Sequence, residues 1–408
     1  MNTNVMVRFT FLGCMLYAAS AFGTGRPDVM AIYFPSWHKS ALQTHFSKGW
    51  TEWDFVKSAP PRYPGHQQPI VPTCGYLDGA NPTDVAKEID LAADAGIDIF
   101  LFDYYYYGGQ KILHEALENG FLKARNRNRM KFALMWCCHE LDNEFRPRPD
   151  QPHERLYTLA KTPTGFASLI DVCIDSYFAQ SGYYRLNGAL YFSIYSPQVM
   201  IERVGVKGMR MALDAARKRV REAGLGEIHF NAQGDAVNSR EMADAGFDSL
   251  TDYTYNPYRN PNYQDWIDRG EWLYDYASIG GEMRAYWDKL AKGPLVFNPI
   301  VPTGWDPTPR ACPDVVFPQP KGKNEYPYCG IYTNSTAEAF GNYLEMAKRF
   351  VAEDPRRSIV QIYAWNEYTE GGWLLPDNFQ GDARLRTIER VFGRKAVETN
   401  PADLAVGN

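Results

Sequence analysis

The 408-residue sequence predicts an α/β chain folded as a single (β/α)8 TIM-type barrel with long βα loops. Three observations predict it. Apolar strand segments and helix-patterned segments alternate along most of the chain, and strict alternation implies a parallel sheet. Eight strand candidates fall within roughly 370 residues, which suits a closed barrel with insertions. No G-x-G-x-x-G or Walker pattern follows the first strand, where an open doubly wound sheet would usually carry a ligand loop. No second domain and no internal repeat is visible. The domain reading is a secretory signal peptide over 1–21, a catalytic barrel over 22–394 and a C-terminal tail over 395–408.

The first strand is Val29 to Pro35, followed by a long aromatic-rich loop, Ser36 to Gly79. Loops of that length in a compact domain tend to be functional. Asn81 and Pro82 then start a helix with an inner stripe of Val85, Ile89, Ala92 and Ala93, stopped by Gly96. The second strand is Ile97 to Tyr104, with a helix expected over Lys111 to Ala124. The third is Lys131 to Cys137, followed by a helix over Thr164 to Phe178. The fourth is Gly188 to Ser196, followed by a helix with Met209, Leu213, Ala216 and Val220 inside. Glu227 to Ala232, Ser249 to Tyr255 and Leu295 to Pro299 are the fifth to seventh strands, separated by helices around Ser239 to Ala245 and Gly281 to Ala291. Ser335 and Glu338 form a capping box for the next helix. Ile359 to Trp365 is the eighth strand, and a last helix spans about Ala383 to Phe392.

Composition narrows the function classes. The net charge is −5 and the pI about 5.9, so no nucleic-acid partner is expected. Aromatic residues reach 14%, with 27 Tyr and 10 Trp. Beyond core packing, Tyr and Trp near polar strand ends suit a sugar, whose apolar C–H face stacks on a ring. Arg8, the apolar run Phe9 to Tyr17 and Ala19-Ser20-Ala21 read as a signal and cleavage site, implying a secreted or periplasmic protein. Leu12-Gly13-Cys14 offers a lipoprotein alternative through Cys14, although Phe11 stands where Leu is usual. No later segment has the apolar length of a membrane span. Cys312 and Cys329 are expected to bridge a Pro-rich loop, while Cys137-Cys138 lies in a buried strand. No Cys/His spacing matches a zinc site, so neither a metal nor a cofactor is expected.

Reactive residues of a barrel collect at the carboxyl ends of its strands. The segment Ser358 to Asp377 is the richest such end: an uncharged strand stops at Asn366 and is followed by Glu367, Glu370, Gly371-Gly372 and Trp373. The other rim residues are Trp37, Trp50, Glu52 and Trp53 after strand one, and Asp103 and Tyr105 after strand two. His139 and Glu140 follow strand three and Asp235 strand five. Strand six carries Asp252 and Tyr255, Trp305 and Asp306 follow strand seven, and Trp365 and Asn366 end strand eight. Carboxylates, Tyr and Trp on one rim suit glycoside chemistry, which needs a proton donor for the leaving oxygen and a second carboxylate. Several also have structural readings: Asp103 as a loop anchor, Glu52 as a surface charge over packed rings, His139 as a satisfied histidine, Asp252 as a Tyr partner and Asp306 as a turn cap.

Several motifs together resemble one family. Gly49-Trp50-Thr51-Glu52-Trp53, Pro64-Gly65-His66, Gly304-Trp305-Asp306 with Thr308-Pro309-Arg310, and Trp365-Asn366-Glu367-Tyr368-Thr369-Glu370-Gly371 look like the WbsX-like family. That family was named for glycosyltransferases and is related to glycoside hydrolase family 99, the endo-α-mannosidases. The resemblance runs from about Met30 to Phe392. It implies a (β/α)8 barrel and a retaining hydrolase acting on α-linked carbohydrate. Glu367 would assist the substrate's own 2-hydroxyl to form a 1,2-anhydro sugar, and Glu370 would be the general acid/base. The sequence departs from the family pattern at Glu140, shifted by one residue, at Leu375, where relatives carry an acid, at Pro307, where Asn is usual, and at Tyr368-Thr369, which replaces Trp-His. These changes keep both acids and leave the sugar open. A glycosyltransferase and a non-catalytic carbohydrate-binding barrel are the competing classes. The signal and the missing diphosphate motif speak against the first, and the intact acid pair against the second.

Overall fold

Val29 to Tyr33 contains no polar break, and all five residues are fully buried. A strand apolar on both faces belongs in the middle of a parallel sheet covered by helices. The computed structural model describes residues 25–42, 46, 49–143, 154–234, 238–317 and 326–393. The signal segment 1–21 with Cys14, Asp235 and the tail 395–408 lie outside these residues. The strands are β1 Asp28–Tyr33, β2 Ile99–Tyr107, β3 Lys131–Cys137, β4 Ala189–Tyr195, β5 Ile228–Gln233, β6 Ser249–Thr251, β7 Val296–Phe297, β8 Ile300–Pro302 and β9 Ile359–Tyr363. They form one curled parallel sheet in the order β7-β6-β5-β4-β3-β2-β1-β9-β8. Register runs through pairs such as Ala31 with Phe100 and Ala31 with Ile362.

Of the expected seventh strand, Leu295 to Pro299, only Val296–Phe297 is a strand, and a second short strand, Ile300–Pro302, follows it at the opposite end of this order. Asn298 N donates to Leu250 O at 3.0 Å, and Gln361 N donates to Pro299 O at 3.0 Å. Pro299 has no N–H for a ladder, so the strand breaks there. The segment 296–302 thus contacts β6 on one side and β9 on the other.

The main helices are α1 Pro82–Ala95, α2 Pro163–Cys173, α3 Gln198–Glu222, α4 Ser239–Ala245, α5 Gly280–Ala291, α6 Ala337–Ala352 and α7 Ala383–Phe392. Asn81 caps α1 by accepting from Thr83 N, and Gly96 ends it at φ 90°, as its sequence predicts. Three expectations change. Lys111 to Ala124 is not one helix. Gly108 and Gly109 both take positive φ, which turns Gln110–Ile112 back against Tyr105–Tyr107 as a hairpin, and only Ala116–Phe121 is helical, as a π turn. The cap of α6 is Thr336, accepting from Ala339 N, one residue beyond the expected Ser335. Cys312 and Cys329 are both free thiols rather than a bridge, and Cys329 is buried beside Tyr258 and Trp305. No helix among the described residues is long and apolar enough to cross a membrane.

Candidate active site

Where β9 ends, the chain folds back as a short hairpin, Asn366–Glu367 against Gly372–Trp373, closed by a 3-10 turn over Tyr368–Glu370. Asn366 fixes this hairpin over β1. Its side-chain oxygen accepts from Phe34 N at 2.7 Å, and its amide donates to Phe34 O at 3.0 Å. Gly371 has φ 81°, and a Cβ there would lie 2.2 Å from Asp306 N, so glycine is what lets the loop after β8 approach. Asp306 N donates to Glu370 O at 2.7 Å across that contact.

The hairpin delivers Glu367 and Glu370 to one guanidinium. Arg310 Nη2 donates to Glu52 Oε1 at 2.8 Å and to Glu367 Oε1 at 2.9 Å, while Nη1 donates to Glu370 Oε1 at 2.8 Å. Nη1 also donates to the Tyr326 hydroxyl at 2.6 Å, which in turn donates to Glu370 Oε1 at 2.7 Å. The Tyr363 hydroxyl donates to Glu370 Oε2. Thr369 donates to Glu52 Oε1 at 2.6 Å. Three carboxyl groups around one cation leave negative charge in excess unless the cluster holds a proton. Burial pushes Glu367 well above the ordinary carboxylate range; Arg310 opposes this, while Glu370 and Glu52 add to it. Burial works against the charge of Arg310 too, but Tyr326 and the three acids outweigh it and hold the guanidinium ionised.

A cavity of about 490 Å³ opens on this cluster. Buried Glu367, Arg310 and Asp103 line it together with the half-buried Glu370, Tyr253, Glu140, Asp142 and Lys161 and the exposed Glu202. Asp103 Oδ1 and Glu367 Oε2 are buried acceptors without a hydrogen-bond partner. Such acceptors beside a cavity are what a sugar hydroxyl can satisfy. Burial, with the charge of Glu370 added, lifts Asp103 well above its usual range. Burial lowers His139, whose Nδ1 faces Glu140 O at 2.6 Å.

The structure therefore brings Asp103, Tyr105, His139, Glu140, Glu367 and Glu370 to one cavity, with Glu52 joined to it through Arg310. Trp305, Asp306 and Trp373 line a second cavity. The other predicted residues face neither. Trp37 packs on Trp53 at 4.1 Å and Trp50 on Phe46 at 4.1 Å, and Trp53 Nε1 donates to Leu77 O. Trp365 lies inside the fold, its Nε1 donating to Glu88 at 2.8 Å. Asp252 is buried and paired with Arg259 at 2.9 Å, and Tyr255 is buried against Tyr286. Sequence reasoning gave no role to Arg310, Tyr253, Tyr326, Tyr363 or Lys161. For Arg310 a signal existed: several acids expected at one rim require a cation, and this arginine stands inside a quoted motif.

A family model described as glycosyltransferase WbsX matches residues 29–388. The chain belongs to this WbsX family. The uncharacterized protein WxcX of Xanthomonas campestris pv. campestris is 25% identical over 395 residues, which cover 94% of this chain and 52% of that protein. The WbsX-family chain described here thus spans about half the length of the curated relatives it matches. Among solved structures, the family 99 endo-α-mannosidase of Bacteroides thetaiotaomicron aligns with a TM-score of 0.57 at 12% identity, over 90% of this chain and 97% of that one. A glycoside hydrolase-like protein aligns with a TM-score of 0.54 at 16% identity, over 90% and 94%. These likenesses show a glycoside-hydrolase-like α/β fold.

Proposed function

We propose that this protein is a secreted or periplasmic retaining glycoside hydrolase that cleaves α-glycosidic bonds in a polysaccharide or oligosaccharide. The observation that carries the reading is the pair Glu367 and Glu370, held on one guanidinium in a cavity with unpartnered buried acceptors. In this reading Glu370 gives its proton to the leaving oxygen. Glu367 takes the proton of the substrate 2-hydroxyl as that oxygen attacks the anomeric carbon, forming a 1,2-anhydro sugar. Water then opens the three-membered ring, passing a proton to Glu370 while the 2-oxygen regains one from Glu367. The surroundings suit these roles. The Tyr326 and Tyr363 hydroxyls can donate or accept, so Glu370 stays hydrogen-bonded with or without its proton. Arg310 favours the anion that Glu367 must be to act as a base. The same reading takes the curled sheet as a closed (β/α)8 barrel, joined through the segment 296–302.

The family description favours a second reading, a glycosyltransferase. The cavity argues against it. Asp103, Glu140, Asp142, Glu202, Glu367 and Glu370 line it against Arg310 and Lys161, a poor setting for a donor diphosphate. Incubation with plant, algal and yeast glycans, and separately with nucleotide-sugar donors and acceptor glycans, decides between the two. Release of sugars from a glycan supports the hydrolase, and consumption of a nucleotide sugar with acceptor growth supports the transferase. Tight binding without either reaction supports a binding module.

A further inference from the structure

The second cavity has no role in that chemistry. It measures about 400 Å³ and lies across the Glu370–Gly371 step from the acid cluster, with Trp305, Trp373 and Tyr63 among its walls. Arg384 lines it too, and the residue is only 3% exposed. Nη1 donates to Trp373 O at 2.9 Å and Nη2 to Ser335 O at 3.1 Å, while Nε has no partner. The guanidinium carbon sits 4.5 Å from the Trp373 ring centroid. Buried guanidinium groups are normally paired with an anion, because neutral acceptors compensate little of the lost hydration. Asp377 acts on Arg384 through its charge but makes no hydrogen bond to the guanidinium, and the hydrogen bonds of both nearby acids go elsewhere. Asp377 accepts from Trp373 Nε1 and from the backbone N–H groups of Phe379 and Gln380, and Asp306 is taken by His66, Gln68 and Thr308. Thr336, the cap of α6, lines the same cavity, so one positive helix end faces this region.

We propose that this cavity is a subsite for an anionic substituent of the glycan, a sulfate ester or a uronate carboxylate, with Arg384 as its charge partner and the aromatic walls holding the sugar ring. The acid cavity complements it. Its carboxylates repel an anionic unit, and Arg310 is already shared among Glu52, Glu367 and Glu370. An acidic glycan would therefore seat a neutral unit over the acid pair and the charged unit over Arg384. This proposal rests on the carbohydrate reading above, and its test does not depend on catalysis.

Thermal unfolding is followed in sodium sulfate and in sodium glucuronate, each against sodium chloride of equal ionic strength, for the native protein, Arg384→Gln and Glu370→Gln. Sulfate stabilises many proteins without a site, so the comparison between variants is what counts. The proposal expects the native protein and Glu370→Gln to gain about 2 °C more than Arg384→Gln in at least one of the two anions. The anion that does so separates sulfate from uronate. Native crystals soaked in selenate and, separately, in glucuronate supply the second readout, with one of the two expected beside Arg384, and they decide alone if Arg384→Gln fails to fold. Equal gains in all three proteins in both anions, or both soaked anions found only outside this cavity, would overturn the proposal. Loss of all glycan cleavage would overturn the hydrolase reading and leave the anion result standing.

Discussion

Arg310 Nη2 lies 2.9 Å from Glu367 Oε1, and the same nitrogen lies 2.8 Å from Glu52 Oε1. One side chain thus holds together acids delivered by the loop after β1 and the hairpin after β9. Arg310→Met leaves Glu52, Glu367 and Glu370 buried against one another, and breaking a buried pair on one side costs about 3–5 kcal/mol. Urea unfolding at neutral pH measures this. Arg310→Lys does not restore the loss, because one ammonium cannot serve three carboxylates in the guanidinium's fixed geometry.

With Glu367 as the base, as proposed, the acid limb of the pH–rate profile is expected to report its ionisation. Burial raises its pKa and Arg310 lowers it, so removing the guanidinium raises it further. A base with a raised pKa loses activity as pH falls through that value. The acid limb of a folded Arg310→Gln variant is therefore expected at higher pH than that of the native protein. A limb that stays in place would assign it to another group.

Tyr363 and Tyr326 both hydrogen-bond Glu370. Tyr363→Phe removes one hydrogen bond, to Glu370, and Tyr326→Phe removes two, to Glu370 and from Arg310; a hydrogen bond to a charged group is worth about 1.5–3 kcal/mol. The expectation is a roughly 10- to 100-fold fall in kcat/KM on a cleaved glycan, with the pH–rate profile displaced. Steady-state kinetics across pH checks it.

Glu88 gives a separate stability prediction. Burial raises its pKa to about 7, from an unfolded value near 4.5, against the opposing hydrogen bond from Trp365. The folded state therefore holds the proton more tightly. The stability from neutral Glu88 is full below about pH 4.5 and is lost as pH rises through about 7. Glu88→Gln keeps an acceptor for Trp365 Nε1 without the charge. It is expected to be up to about 3 kcal/mol more stable than the native protein at pH 8, and close to it at pH 4.5. Urea unfolding at both pH values measures the difference.

What the sequence made legible was local or periodic. The cap at Asn81, the stop at Gly96 and the apolar strands each follow from a few neighbouring residues. The acid pair was visible because Glu367 and Glu370 close one short segment. The tryptophans misdirected the reading: an indole near a strand end buries as readily as it lines a site, and Trp37, Trp50, Trp53 and Trp365 pack inside. The partners of the acids were hidden by distance. Tyr326 reaches Glu370 across 44 positions and Arg310 reaches Glu52 across 258, and no local pattern announces such contacts.

The central claim is that Glu370 moves the proton at the scissile bond. The most direct measurement is the rate of sugar release by Glu370→Gln beside the native protein, on a glycan that the native protein cuts, with thermal unfolding confirming an intact fold. The expected fall is at least about 1,000-fold in rate, within the range that general acid–base catalysis supplies. Full activity of a folded Glu370→Gln would contradict it.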